Sequence, residues 1–442
     1  MHKLVGGHAC KMVSFPQLLG GNRNYRHTWF GQVVSEVGDH FNTIAVFALA
    51  LENTHSGLAV SAVMLSRALP MIMAGPVAGV LLDRWDRKKI MLASDSTRAV
   101  VAVGFIFAVD PANTWLLYPL SALLWFAAPF FTSGRTALLP EITTKQELQT
   151  ANSLTQTTRY FALTAGTFFG GVSVAAWGYE WAFGLNAVSF AFSALMISRL
   201  RVNKGHFRPE RTALTESDVM RPWHEYKEGL RYLRATPLFL AIAMGNVGWA
   251  TGGGAAQILF GLFGDLVFDR GAAGIGMIWS SAGVGLLIGA AVTYTMVNKL
   301  PFEKYKTVVV IAYLIHGTAY ILFSQMEEFW LALMFILISR ASSAVFVISN
   351  LGQLLRHVSD QFRGRVFSTI ESMTWAMMIL SLTAAGVASE FVSPRTIGAV
   401  AGFLSSLTAV GWAWAHWTSR LPEPALEGVD PTEVEVHREP RT

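Results

Sequence analysis

The chain has 442 residues, of which 52% are hydrophobic and only 14% charged, against roughly 25% charged in soluble domains. Its net charge of +5 is spread over short connections between apolar runs, which is no signal for nucleic acid, and a lone cysteine, Cys10, excludes an internal disulfide and a cysteine-rich metal site. No Gly-x4-Gly-Lys-Ser/Thr loop and no nucleophile motif is present, so the sequence offers neither an ATPase nor an enzyme, and it calls for no cofactor.

Residues 1–24 carry Lys3, Lys11, Arg23 and several glycines without an unbroken apolar stretch, and read as a flexible lead rather than a secretory signal. Twelve apolar stretches follow, at about 27–51, 57–82, 89–109, 114–136, 148–175, 181–200, 238–263, 272–297, 306–325, 329–355, 365–390 and 395–418. Each is long enough to cross a hydrocarbon layer of about 30 Å as a helix. The reading is an all-α polytopic membrane protein with twelve transmembrane helices.

The first span holds Glu36, Asp39 and His40. Their i, i+3, i+4 spacing puts them on one helical face, and about ten residues of helix, roughly 15 Å, separate Glu36 from the inner end. Ionisable groups at that depth are costly and default to a function with a named partner. A desolvated carboxyl can take up and release a proton, so Asp39 and Glu36 are the candidate proton-coupling groups. A purely structural Asp39, tied to an arginine, is the competing reading. Arg67, Arg98, Arg159 and Arg340 lie inside later spans. Arg98 follows Asp95 by three residues and could neutralise it locally, which leaves Arg67 and Arg159 to tune the acids.

Between the second and third spans stands Gly79-x3-Asp83-Arg84-x-x-Arg87-Lys88-Lys89, six charges in seven residues between two apolar runs. The connections that would face one side carry most of the Lys and Arg, nine of them within 199–236 alone; the other side has Arg270 and Arg395 beside acids such as Glu52, Asp110, Glu180 and Glu328. The positive-inside rule then puts both termini and the Asp83–Lys89 loop in the cytoplasm. In a Cys10-free chain, a cysteine at Lys89 should be shielded from an impermeant thiol reagent in intact cells and one at Glu328 should react. Labelling at Lys89 from outside would sink this orientation.

Span five contains Ala165-Gly-Thr-Phe-Phe-Gly-Gly171. Its Gly166-x3-Gly170 spacing permits close helix packing. Residues 201–236 form the longest polar stretch, a linker in which Pro222–Arg234 reads as an amphipathic helix with Trp223, Tyr226, Leu230 and Leu233 on one face, suited to the inner membrane interface. Residues 421–442 are proline- and acid-rich and read as a disordered tail. The segment Leu138–Leu154 aligns without gaps on Leu354–Ile370, an offset of 216 that also carries Gly170 onto Gly386. The chain therefore divides into 1–24, a six-helix half over 25–200, the linker 201–236, a second half over 237–420 and the tail 421–442. Span seven has Gly253 and Ala256 where the first half has its acids; Trp249, Gln257, Arg340 and Trp375 are the candidates for the second half's cavity wall, with Phe260 and Phe346 as further aromatics.

The loop between spans two and three resembles the signature of the major facilitator superfamily. Asp86 departs from it, standing where that signature often has glycine, so a left-handed turn there would rely on Asp tolerating φ > 0. Within that superfamily, Phe30–Asp39, Asp83–Arg87, Ala137–Pro140, Trp181–Asn186 and Gly364–Phe367 resemble the branch containing macrolide efflux proteins and the enterobactin exporter. The resemblance implies the major facilitator fold, two pseudo-symmetric six-helix halves with substrate handled near the midplane. It implies a proton-coupled exporter of bulky amphipathic molecules, a drug such as a macrolide or a siderophore, working by alternating access as a monomer in a bacterial cytoplasmic membrane. Gly79, Asp83, Arg84, Arg87 and Lys88 become a conformational switch, with Asp83 stabilising the outward-facing state. Gly166, Gly170 and Gly171 resemble the antiporter motif, with Thr167 in place of its proline. A divalent-metal exporter of the same fold using Glu36, Asp39 and His40, and a non-transporting membrane sensor, are the alternatives.

Overall fold

The computed structural model describes residues 13–201, Phe207 and 222–424. Fourteen α-helices fill the described residues: α1 (Phe15–Gly21), α2 (Arg23–Thr54), α3 (Gly57–Arg84), α4 (Arg87–Gly104), α5 (Leu117–Ile142), α6 (Lys145–Trp177), α7 (Tyr179–Ser198), α8 (Pro222–Ala235), α9 (Pro237–Leu262), α10 (Gly271–Thr295), α11 (Phe302–Gln325), α12 (Phe329–His357), α13 (Asp360–Ala388) and α14 (Pro394–Trp417). The twelve expected spans fall on α2–α7 and α9–α14. Ten of these are long and apolar enough to cross a membrane. The two outside that set, α2 and α9, are long enough at 32 and 26 residues. Their hydropathy is diluted by Glu36, Asp39 and His40 in one and by Asn246, Gln257 and a run of glycines in the other.

Local chemistry sets the helix ends. Thr144 and Glu147 close a capping box at the start of α6, Ser393 caps α14, and Pro237 opens α9 where its missing N–H costs nothing. Gly178, at φ +87°, turns the chain between α6 and α7 in a conformation side chains resist. Pro70 and Pro76 lie inside α3, and Pro129 and Pro140 inside α5, without ending either helix, as packed membrane helices allow.

The contacts divide the chain into two units. Unit 1 holds Met1–His55, Ala62–Ala213 and Arg270–Ser280; unit 2 holds Ser56–Ser61, Leu214–Asp269 and Ser281–Thr442. In unit 1, α2 packs on α6 and α7 while α4 packs on α5 and α7; in unit 2, α9 packs on α13 and α14 while α11 packs on α12 and α14. These are the same four pairings seven helices apart. The sequence offset of 216 carries the start of α6 at Lys145 to position 361, one residue from the start of α13. Both units thus break their helices at equivalent positions.

Three features depart from the sequence reading. The stretch expected as a flexible lead contains α1. Its Leu18 is fully buried, and Asn22 donates to the Ile142 carbonyl (2.6 Å) and to Glu147 (3.2 Å); residues 1–12 lie outside the described residues. Helix α8 is present, but Leu233 of its expected apolar face is buried against protein rather than lipid. Leu233 enters the core of unit 2, Tyr232 stacks on Phe362 and Phe239 at 4.8 and 5.9 Å, and Glu228 pairs with Arg365 at 2.9 Å. The side chain of Trp223 and residues 202–206 and 208–221 lie outside the described residues. Leu421, in the expected tail, is buried, and its carbonyl accepts from Lys306 at 3.0 Å; residues 425–442 lie outside.

Candidate functional site

Helix α2 places Gln32, Glu36, Asp39 and Thr43 along one stripe, at steps of four, three and four residues. Three arginines from three neighbouring helices of unit 1 meet that stripe. Arg135 of α5 reaches Glu36, with Nη1 at 3.2 Å from Oε1. Gln32 donates to the same oxygen at 3.0 Å and to the Thr155 carbonyl of α6 at 3.2 Å. Arg98 of α4 reaches Asp39, with Nη2 at 2.6 Å from Oδ2, and its Nη1 lies 3.4 Å from Asp95. The Arg98 guanidinium lies over the Phe190 ring at 4.0 Å. Arg67 of α3 donates to the Thr43 hydroxyl at 3.2 Å, and that hydroxyl donates onward to the Asp39 carbonyl at 2.8 Å.

The chemistry of these contacts is uneven. Glu36 and Arg135 form a one-to-one pair. Asp39, Arg98 and Asp95 form a set of two carboxylates around one cation. Asp95 is fully buried and Arg98 is 4% exposed, so little water offsets the surplus negative charge when both acids are ionised. One proton makes the set neutral. The arginine shared between the acids gives the proton a place to act: protonating Asp39 weakens its hold on Arg98, which keeps Asp95.

The partners differ from those expected. The i, i+3 spacing lets Arg98 neutralise Asp95, and it does contact Asp95, but its shorter contact is to Asp39 on another helix. Neither Arg67 nor Arg159 touches a carboxylate among the described residues. Arg159, expected to be buried, is exposed on α6. Arg135 was missed, because a span ending near 136 makes it look like a flanking residue. The signal was available: α5 runs through Pro140 to Ile142, which places Arg135 two turns inside. His40 lies against α6, where a Cβ built on Gly166 would stand 2.8 Å from its own Cβ. Among the described residues no three His, Cys, Asp or Glu gather as a metal site.

The glycines of α6 let helices approach closely. Gly166 meets His40 and Val37 of α2, Gly170 faces the Phe41 backbone at 3.0 Å, and Gly171 faces the Gly276 backbone at 3.0 Å, all from where a Cβ would sit. The expected loop is mostly helical: Gly79, Asp83 and Arg84 belong to the end of α3, Gly79 with open space beside it and Asp83 and Arg84 exposed, and only Trp85 and Asp86 separate α3 from α4. Asp86, expected to need a left-handed turn, has φ −66° and caps α4 by accepting from the Lys89 amide. Arg87 pairs with Glu141 and donates to the Ala137 carbonyl at 2.9 Å. Lys88 donates to the carbonyls of Ser198 and Leu200 at the end of α7.

In unit 2, Trp249, Gln257, Arg340 and Trp375 are all half-buried. Arg340 stacks over Phe260 at 5.1 Å. Phe260 and Phe346 are fully buried core residues, Phe346 stacking on Tyr313 at 3.9 Å. The sequence reading missed a buried polar contact here: His316 and Ser339 bond each other at 2.9 Å between α11 and α12.

The Major Facilitator Superfamily profile matches residues 28–380. The chain belongs to this superfamily. It is similar to the "Uncharacterized MFS-type transporter YfiS" of Bacillus subtilis (strain 168), 28% identical over 84% of this chain and 88% of that one. It is 25% identical to the "Putative bacilysin exporter BacE" of Bacillus amyloliquefaciens over 84% of this chain and 91% of that one. The "Enterobactin exporter EntS" of Shigella boydii serotype 18 (strain CDC 3083-94 / BS512) is 28% identical over 62% and 64%. Among solved structures, a POT family transporter in complex with a thioalcohol-conjugated peptide superposes with a TM-score of 0.73 at 10% identity, covering 93% of this chain and 99% of that one; at that identity the likeness is one of fold. As a major facilitator protein the chain is a multi-pass membrane transporter of small molecules, not an enzyme.

Proposed function

We propose that this transporter is a proton-coupled exporter of bulky, partly apolar small molecules, working by alternating access in a bacterial cytoplasmic membrane with both termini inside. The observation that carries the coupling is Arg98 shared between Asp39 and Asp95 within the helices of unit 1. A buried set that differs by one charge between its protonated and deprotonated forms can hold a proton on one side of a membrane and lose it on the other. Glu36 and Arg135 form the assisting pair. Export as the direction is supported by relatives whose names describe exporters.

The test uses purified protein in liposomes loaded with buffer of one pH and diluted into another, with a labelled macrolide or catechol siderophore supplied outside. Inside-out-oriented molecules should accumulate the compound only while the pH difference lasts, and an ionophore that collapses it should return uptake to the level of empty liposomes. Accumulation that ignores the ionophore would overturn the coupling.

A further inference from the structure

Arg67 is a second kind of arginine. It is 5% exposed, it lies inside a membrane-spanning helix, and it touches no carboxylate among the described residues. The acids of the stripe pair with other arginines: Glu36 with Arg135, Asp39 and Asp95 with Arg98. What holds Arg67 is the Thr43 hydroxyl and two ring faces, Phe47 at 4.9 Å and Trp125 at 5.7 Å. Those contacts use one of its nitrogens. Nε and Nη2 are buried with no partner, and so is Nε1 of Trp125, the indole beside it. Nε and Nη2 of Arg67 on α3 and Nε1 of Trp125 on the neighbouring α5 thus have nothing accepting from them. Buried donors without acceptors are rare enough to need an explanation. A guanidinium with two adjacent free N–H groups has the fork geometry that matches a carboxylate.

We infer that Arg67 and Trp125 form the docking point for an anionic oxygen group on the transported molecule, a carboxylate in the first instance. The inference rests on the exporter reading and narrows it: the cargo is an amphipathic acid, not a cation. An acid meets N–H donors that are unengaged, on a guanidinium that pairs with no carboxylate among the described residues. The rings of Phe47 and Trp125 would pack the apolar part next to the acid. Trp125 is only half-buried while the guanidinium is almost fully so, which puts the approach past the indole.

The experiment measures thermal unfolding of the purified full chain with three probes of one shape: 2-naphthoate, 2-naphthamide and 2-naphthylmethylammonium. A ligand that binds the folded state raises the midpoint with concentration. The acid should stabilise the wild type, with an apparent affinity about tenfold above the amide, a difference of roughly 1.4 kcal/mol, and the ammonium should do no better than the amide. Arg67→Gln should erase the acid's advantage and Arg67→Lys should keep part of it. Trp125→Phe retains the ring and loses the N–H, so it should lower the acid's advantage without touching the cation; it decides the matter even where an Arg67 variant fails to fold. Equal stabilisation by acid and amide, or a variant pair Arg67→Gln and Trp125→Phe that both keep the wild-type preference, overturns the inference. Because the measurement needs no transport, acid preference without pH-driven accumulation would sink the exporter reading alone. Accumulation without acid preference would sink this inference alone.

Discussion

Asp39→Asn should abolish pH-gradient-driven accumulation in liposomes, reducing it to the level of protein-free vesicles, while the protein remains folded. The side chain keeps its size and an oxygen that can accept from Arg98, but it can no longer gain or lose a proton. Stripping one partner from a buried ion pair costs about 3–5 kcal/mol when the other charge is left alone. Arg98 is not left alone, since Asp95 stands 3.4 Å away and Phe190 lies under the guanidinium at 4.0 Å, so the loss should fall well below that range. Binding should survive, because Arg67, Trp125 and the Glu36–Arg135 pair do not use the Asp39 carboxylate. Uptake and ligand-induced thermal shifts measured on the same preparation separate the two effects. If the variant still concentrates substrate with the wild type's dependence on the pH difference, Asp39 is a helix-tying residue and the proton is carried elsewhere.

A large loss of stability is expected from Gly254→Val. A Cβ at Gly254 would lie 2.7 Å from the Leu382 amide nitrogen and 2.7 Å from the Ser381 Cβ, and would press on the Met378 carbonyl. Two of these neighbours are backbone atoms of α13, which cannot rotate away. Valine adds two methyl groups to that clash, and overpacking of this kind costs about 1–3 kcal/mol, occasionally more. Only separation of α9 from α13 relieves it, at the centre of the packing in unit 2. The same substitution at Gly411, which has open space beside it, is the control. Gly254→Val should lower the unfolding midpoint and broaden or remove the monodisperse peak in size-exclusion chromatography, and Gly411→Val should do neither. A Gly254→Val protein that melts with the wild type would mean the two helices can separate without cost.

The architecture was legible because a bilayer permits so few solutions. Apolar runs of about 20 residues have to be helices, and the offset of 216 between Leu138–Leu154 and Leu354–Ile370 marks the two-fold repeat that the helix pairings then display. The site was legible only in part. Glu36, Asp39 and Arg67 stand out because charge at bilayer depth is conspicuous in any listing of residues. Their pairing is not, since partners are chosen across helices: the spacing of Arg98 points to Asp95 and it is closer to Asp39, and Arg135 is hidden by a span boundary drawn six residues, nearly two turns, too early. Asp86 shows the same limit at a turn. Its residue type permits a left-handed conformation, but a capping bond to the Lys89 amide holds it in the extended region. Helix α8 and Leu421 were placed at surfaces by their composition, and only three-dimensional neighbours reveal that Leu233 and Leu421 are buried.

Phe207 lies in the middle of what composition presents as a linker, yet it is 2% exposed. Its amide donates to Asp86 at 3.2 Å and its carbonyl accepts from the Arg87 amide at 3.1 Å. The chain is pinned at this residue to the start of α4. The span from Phe207 to Pro222 is fifteen residues (222 − 207), with a taut length of about 50 Å at ~3.3–3.6 Å per residue. That figure, and not the full length of the polar stretch, bounds how far the chain can run between Phe207 and Pro222.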